Sequence, residues 1–362
     1  QKFKRERKQL IKSALFLLLL IGLMVGGSWR ANRIENPLFR GETMGTSYSI
    51  RLIGTLHKKE TSRLAEKMDQ LLLELNQYMS TWIEDSQISL FNHNLSTEPV
   101  LVSESFHTVT TKALLLAQES DGAFDPTLQP LLNVWGFGSE SSSENLPTQK
   151  EIERIHAQIG WKKIETLSGN RLRKTEDTIS LALGAIAKGH GVDLLAELLT
   201  HEGYTDWFIE VGGEVRVLGN NPDGVPWKIG IQSPDAYFLD ISLHGIAQLT
   251  AGSVATSGSY RNYTEKNGKR YAHILDPRTG QAILSNLLSV SVLSDSCIDA
   301  DGWATALYVL GVDEGLTYVE ENPMIEALFI TSTEDGQLQA KYSSGFLEKT
   351  DYQSIKMPRQ QL

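Results

Sequence analysis

Ten residues, YAHILDPRTG (271–280), crowd a histidine, an aspartate, an arginine, a proline and a glycine onto an alternating strand-like run. Tyr271 to Leu275 read as a short strand. Asp276-Pro277 with Gly280 read as the turn that ends it, because proline presets φ while glycine permits a positive φ. His273 and Asp276 are thereby held at a strand end. An imidazole and a carboxylate placed there can face a ligand with the precision that acid/base work requires. The same residues equally fit a plain Asp-Pro-x-x-Gly turn with an incidental histidine.

Downstream, DSCIDADGWATALYVLG (295–311) repeats Ala300, Trp303, Ala304, Leu307 and Leu310 at helical spacing, with Asp299 expected as N-cap and Gly311 as the stop. On that helix Asp301 and Thr305 are four apart, so their oxygens share one face. This arrangement suits a hard divalent cation such as Mg2+, which takes few protein carboxylates and keeps waters. It also suits a first-turn carboxylate complementing the helix dipole, with a threonine packing its methyl. LALGAIAKGHGVDLLAELL (181–199) runs from an apolar strand-like piece through Gly184 into a helix. Lys188 near its start could receive a phosphate beside free backbone N–H groups, or simply cap a solvated helix end. The segment is not a Walker A loop, since the glycine spacing and the Lys-Ser/Thr pair are missing. In DGAFDPTLQPLLNVWGFG (121–138), Phe124, Trp135 and Phe137 fit either a binding loop or ordinary core.

Periodicity places amphipathic helices at 63–79 and 105–120, a third near 150–159, and a hairpin over 206–219 turning at Gly212-Gly213. GSESSSENLPTQ (138–149) reads as a flexible Ser/Glu-rich insertion. Helices thus alternate with strands and no fixed repeat appears, so the class is α+β (mixed α/β). With 362 residues, 41% hydrophobic and 22% charged, the chain can bury a substantial core and disorder is excluded for most of it. Residues 1–12 hold six Lys/Arg and one Glu, a local charge of +5, so the remainder carries −15 of a net −10 chain. No nucleic-acid partner is expected of such an acidic body.

Taken together, MGTSYSI (44–50), STWIEDSQISLFN (80–92), DGAFDPTLQPLLNVWGFG (121–138), GAIAKGHGVD (184–193), EVGGEVRVLG (210–219), TSGSYRNY (256–263), HILDPRTG (273–280) and DADGWATALYVLG (299–311) follow the order and approximate spacing of one family. The chain resembles the ApbE family of FAD:protein FMN transferases from about residue 40 to its C-terminal end. HILDPRTG with the later Asp-x-x-x-Thr is the most specific part. The resemblance implies a two-lobed catalytic unit with the flavin between the lobes. It further implies Mg2+-dependent transfer of FMN from FAD to a threonine hydroxyl of another protein, releasing AMP. Asp301, Thr305 and the backbone carbonyl of Ala185 would hold Mg2+. Met44, Trp82, Ala123, Phe124, Asp125, Lys188 and Leu275 match FAD-contacting positions. His273 and Asp276 are the catalytic candidates, His273 as proton acceptor or electrostatic partner at the acceptor hydroxyl. Ser257 and Tyr260 fall in a polar turn beside the same cleft. Two positions depart from the family pattern: Ala182 stands where an aspartate usually contacts the flavin, and Ala304 where some members carry an acid near the metal.

Residues 13–29, SALFLLLLIGLMVGGSW, are uncharged and follow the basic leader 1–12, the pattern of an export signal with a cytoplasmic basic end. Seventeen residues is the short limit for a spanning helix. The segment is expected to stay as an anchor, with cleavage near Gly26, Gly27 and Ser28 as the alternative. Family members are often lipoproteins, but the single cysteine, Cys297, is far from the apolar run and has no partner for an intrachain disulfide. A linker over 30–40, a catalytic domain over 41–350 and a tail over 351–362 complete the expected organisation. The implied setting is the periplasmic side of a bacterial inner membrane. The partner would be a redox subunit bearing a Ser/Thr-Gly-Ala-x-Thr-like motif. Competing readings are a Mg2+-dependent FAD pyrophosphatase giving FMN and AMP, a non-catalytic periplasmic flavin-binding protein, and an assembly factor that only docks redox subunits.

Overall fold

The computed structural model describes residues 32–141, 146–234, 242–259, 263–266 and 269–355. Its frame is an eight-stranded sheet, antiparallel throughout, whose members lie side by side in chain order. They are β1 (Leu38–Thr43), β2 (Thr46–Leu52), β3 (Trp207–Val211), β4 (Glu214–Leu218), β5 (Ala251–Gly258), β6 (Leu287–Ser294), β7 (Ile325–Ser332) and β8 (Leu338–Tyr342). On one face lie three long helices, α1 (Lys58–Met79), α2 (Ala187–His201) and α3 (Cys297–Glu321). Helix α3 packs on β5 and β6, α2 on β3, β4 and α3, and α1 on α2. The hairpin Trp227–Gln232 with Leu243–Leu249 and the short helix Phe346–Thr350 cover the other face.

Covering both faces explains the strand compositions. In β7, Ile325, Ala327 and Phe329 join the apolar cluster under the helices while Leu328 and Ile330 join the opposite one, so the strand is apolar almost throughout. In β4, Val215 and Val217 enter the hairpin-side cluster. Successive side chains alternate faces, so Glu214 and Arg216 project toward the helices, where they meet Lys188 and Asp193.

The expected helices form, with physical starts. Helix α1 begins earlier than its pattern suggested and buries Leu64, Met68, Leu72, Leu75 and Met79 along one stripe. Glu104–Glu119 is capped by Ser103, and Gln149–His156 by a reciprocal capping box of Thr148 and Glu151. The hairpin β3–β4 turns at Gly212 and Gly213, with φ of 62° and 103°.

Other expectations are corrected. The strand expected over 271–275 is two pieces: Lys269–Ala272 pairs with Tyr263–Lys266, whereas Leu275–Asp276 pairs with Gln281–Ala282. The change of partner falls at His273 and Ile274. Leu181 to Leu183 form no strand, because the side-chain amide of Asn92 takes the place of a neighbouring strand. It donates to Leu181 O at 2.8 Å and accepts from Leu181 N at 2.7 Å. The N-cap of α3 is Ser296, not Asp299, which sits in the first turn and pairs with Lys112 at 2.6 Å. Gly311 does leave helical geometry, at φ 79° and ψ −175°, but the chain resumes helix beyond it to Glu321. Strands Arg33–Glu35 and β1 lie within or begin in the stretch expected as a linker, the first pairing with Thr55–His57. Ser257 belongs to β5 rather than to a turn. Tyr260, the basic leader and the apolar segment 13–29 lie outside the described residues. No described helix is long and apolar enough to cross a membrane.

Helices α2 and α3 approach closely at Gly189, where a Cβ would lie 2.3 Å from the Cys297 carbonyl oxygen and 2.8 Å from Asp301 Cβ. Backbone cannot yield there as a flexible side chain would. Gly189→Ala is therefore expected to cost at least about 1–3 kcal/mol, the usual range for overpacking. Urea unfolding should show a lower midpoint at unchanged slope.

Candidate active site

Three elements converge on one ammonium. Lys188 stands in the first turn of α2, Glu214 opens β4, and Asp301 lies in α3. Lys188 Nζ is 3.2 Å from Glu214 Oε1 and 3.6 Å from Asp301 Oδ1. Burial works against the Lys188 charge, but Asp301 and Glu214 outweigh it and hold the amine protonated above its ordinary range. Burial likewise pushes both carboxyls up while Lys188 draws them back. Lys188 is therefore neither a solvated helix end nor a cation with uncommitted charge.

The second oxygen of Asp301 has a structural task. Ile186, the N-cap of α2, offers no side-chain cap, and Asp301 Oδ2 instead accepts the Gly189 amide at 2.9 Å. One turn along the same face of α3, Thr305 Oγ1 is 2.9 Å from Ser257 Oγ. Asp301 and Thr305 present hard oxygens on one face of α3, and Ala185 lies just before α2. Oxygens of this kind suit a cation such as Mg2+, which needs few protein carboxylates. Among the described residues no three His, Cys, Asp or Glu side chains gather into a metal cluster.

The other candidates are carried on separate segments. Met44 takes a left-handed φ of 50° in the β1–β2 turn, and its Cε would lie 3.1 Å from a Cβ on Gly191 of α2. The Gly212 amide donates to Ser47 O at 3.0 Å, which ties the β3–β4 turn to the strand beginning at Thr46. Ala182 N donates to Pro126 O at 2.7 Å and so links the segment before Ala185 to the 123–125 loop. Ala123 and Phe124 are buried. The Asp125 carboxylate is committed: it accepts from Thr127 N, Thr127 Oγ1 and Trp161 N at 2.7, 2.6 and 3.0 Å. Trp82 is 73% exposed, an indole face open to a planar ring.

The HILDPRTG segment forms a second group. His273 lies edge-on to Phe137, ring centroids 6.5 Å apart. Leu275 is buried among Leu131, Trp135, Ile152 and Ile155. Asp276 accepts from Arg278 N at 2.9 Å and from its guanidinium at 3.0 Å, so it closes its own turn. Trp135 Nε1 donates to Gly280 O at 3.0 Å and His156 Nε2 to Pro277 O at 2.7 Å, docking the turn on the helices Gln129–Trp135 and Gln149–His156. Ile274 shares an apolar cluster with Ala300, Trp303 and Ala304 of α3, which connects the two groups.

Glu214, Asp193 and Arg216 were not singled out from sequence. The one signal for Glu214 and Arg216 is the Glu-Val-Arg-Val alternation of β4, which places two charges on the face that meets helices. His190, beside Lys188 on α2, is 8% exposed and its Nε2 has no hydrogen-bond partner among the described residues. Burial lowers its imidazole from 6.5 to about 4. The unfolded chain therefore binds more protons between those values, and stability falls as pH drops through that window. Over the whole window this amounts to roughly 3 kcal/mol at 1.36 kcal/mol per pKa unit. Urea unfolding at pH 7.5 and 4.5 should show His190→Leu losing less stability on acidification than the wild type.

A family model described as the ApbE family matches residues 44–329. The chain is 42% identical over 302 residues to the FAD:protein FMN transferase of Vibrio cholerae, covering 83% of this chain and 89% of that one. It is 36% identical over 317 residues to the enzyme of the same name from Haemophilus influenzae, covering 86% and 90%. Among solved structures, the Vibrio cholerae flavin transferase ApbE superposes with TM-score 0.79 at 39% identity, over 87% of this chain and 99% of the other. The apo Pseudomonas stutzeri flavinyl transferase ApbE superposes with TM-score 0.77 at 34% identity, over 87% and 97%. With a matched span running from the β1–β2 turn into β7, and so taking in Lys188, Glu214, His273 and Asp301, the chain belongs to the ApbE family.

Proposed function

We propose that this chain transfers FMN from FAD to a threonine hydroxyl of a target protein and releases AMP. The observation that carries the reading is the pair of hard-oxygen side chains Asp301 and Thr305 on one face of α3 beside the half-buried Lys188, in a chain whose relatives are named FAD:protein FMN transferases. The hydroxyl oxygen attacks the FMN phosphorus, the bond to the bridging oxygen breaks, and AMP leaves with that oxygen. Mg2+ held by Asp301, Thr305 and the Ala185 carbonyl would supply positive charge to the pyrophosphate oxygens.

The remaining roles belong to the chain's own groups. Lys188, kept protonated, faces the anionic part of the substrate. Trp82 offers its exposed indole to a ring, and Met44 with the backbone of Ala123 to Asp125 lines the cleft. His273 takes the proton of the acceptor hydroxyl. Asp276 and Leu275 act through the turn they stabilise, which fixes where His273 stands. The acceptor is a redox subunit with a Ser/Thr-Gly-Ala-x-Thr-like motif. The uncharged run 13–29 behind a basic leader supports a catalytic body on the periplasmic side of the inner membrane as part of this reading.

The test incubates the purified chain with FAD, Mg2+ and such a subunit, and reads flavin fluorescence that survives denaturing electrophoresis. Asp301→Ala should abolish the signal, and His273→Ala should slow single-turnover labelling by about 10²–10⁴, the range for a general base, at near-normal FAD affinity. Free FMN in place of labelled subunit would indicate hydrolysis. FAD bound without turnover would indicate a carrier.

A further inference from the structure

Glu214 has no role in the reading above beyond its contact with Lys188, yet its setting is costly. It is 4% exposed, and its Oε2 is buried with no hydrogen-bond partner among the described residues. Buried polar atoms are normally satisfied, so an exception calls for a use. Its other oxygen accepts from Lys188 at 3.2 Å, while the same ammonium stands 3.6 Å from Asp301 Oδ1.

The lysine has little room to go elsewhere. A Cβ on Gly212, in the β3–β4 turn, would lie 3.3 Å from Lys188 Cδ, so the stem runs along that backbone toward the two carboxylates. Oδ1 is the less committed oxygen of Asp301, since Oδ2 already accepts the Gly189 amide. An ammonium resting on Oδ1 and a divalent cation seeking the same oxygen repel each other. Glu214 is the carboxylate placed to draw the ammonium the other way.

We propose that Glu214 is a positioning residue that holds the Lys188 ammonium off Asp301 and so keeps that carboxylate available to a divalent cation. The inference rests on the reading of Asp301, Thr305 and Ala185 as a hard-cation site. It assigns Glu214 no contact with the reacting atoms. Its effect passes through Lys188.

Mn2+ binding to the FAD-free chain, followed by the EPR signal of free Mn2+, tests this without turnover. Wild type should bind Mn2+, and Asp301→Asn should not. Glu214→Ala should weaken binding about tenfold or more, as losses of groups supporting a metal ligand do. Glu214→Gln, which keeps the shape and an oxygen acceptor, should weaken it less and also serves should the alanine variant fold poorly by circular dichroism. Combined with Lys188→Met, either substitution should lose most of its effect. Asp301-dependent binding that is unchanged in both Glu214 variants, or weakened equally with and without Lys188, overturns the inference alone. Wild type that binds no Mn2+, or an Asp301→Asn variant that binds it fully, overturns the cation site and this inference together.

Discussion

Two helices in this protein cap each other. Asp301 of α3 accepts the Gly189 amide in the first turn of α2, and Asp193 of α2 accepts the Cys297 and Ile298 amides that open α3, at 2.8 and 2.9 Å. Each carboxylate lies at the positive end of the other helix, where unpaired N–H groups and the dipole favour negative charge. Burying two carboxylates is unfavourable unless each finds donors and an opposite charge. Helix α2 supplies Lys188 to Asp301, and β4 supplies Arg216 to Asp193 at 2.6 Å. The crossing, the sheet beneath it and the candidate site thus share one network of charges.

That sharing explains why the site can be precise. Asp301 is held by a bond that the crossing itself requires, so its carboxylate is fixed within narrow limits. Gly189 allows the approach and Gly212 passes Lys188 along its backbone, so the positions of both charges follow from where backbones meet. The Met44 turn packs against α2 at Gly191, at the edge of this rigid centre. Parts that must admit a large substrate are carried on turns and loops, while the groups that bear charge are carried on helices and the central sheet.

What was legible in the sequence follows from how local each signal is. The apolar stripe of α1, the Gly212-Gly213 turn and the Asp-Pro-x-x-Gly turn depend on neighbours a few residues away, and they stand where expected. Gly311 was legible as a break, since its φ of 79° favours glycine, but what resumes the helix is packing under β7. The break at His273 was hidden because both halves alternate correctly, and only the choice of pairing strand separates them. Asn92 acting as a strand neighbour to Leu181 bridges eighty-nine positions. No window of sequence displays such a contact. Glu214 and Arg216 were overlooked for a related reason: alternating charges in a strand read as a solvated face, and only a second layer of helices turns that face inward.

The charge balance of the cluster constrains which chemistry the proposed reading can hold. One ammonium stands against two carboxylates in a body that already carries a net negative charge. Lys188 therefore brings no surplus positive charge to a pyrophosphate, although its position favours an anionic partner. A site of this composition that binds FAD by its phosphates needs a further positive charge at Asp301, which is why the reading gives that carboxylate to a hard cation. The two departures from the family pattern bear on this balance in different ways. Ala304 is buried in the apolar cluster beneath α3, where an acid would have to be paired, so an alanine there removes a possible ligand but spares the helix an uncompensated charge. Ala182 donates its amide to Pro126 and is held on the segment that leads to Ala185. Its backbone is thus held without any help from its side chain.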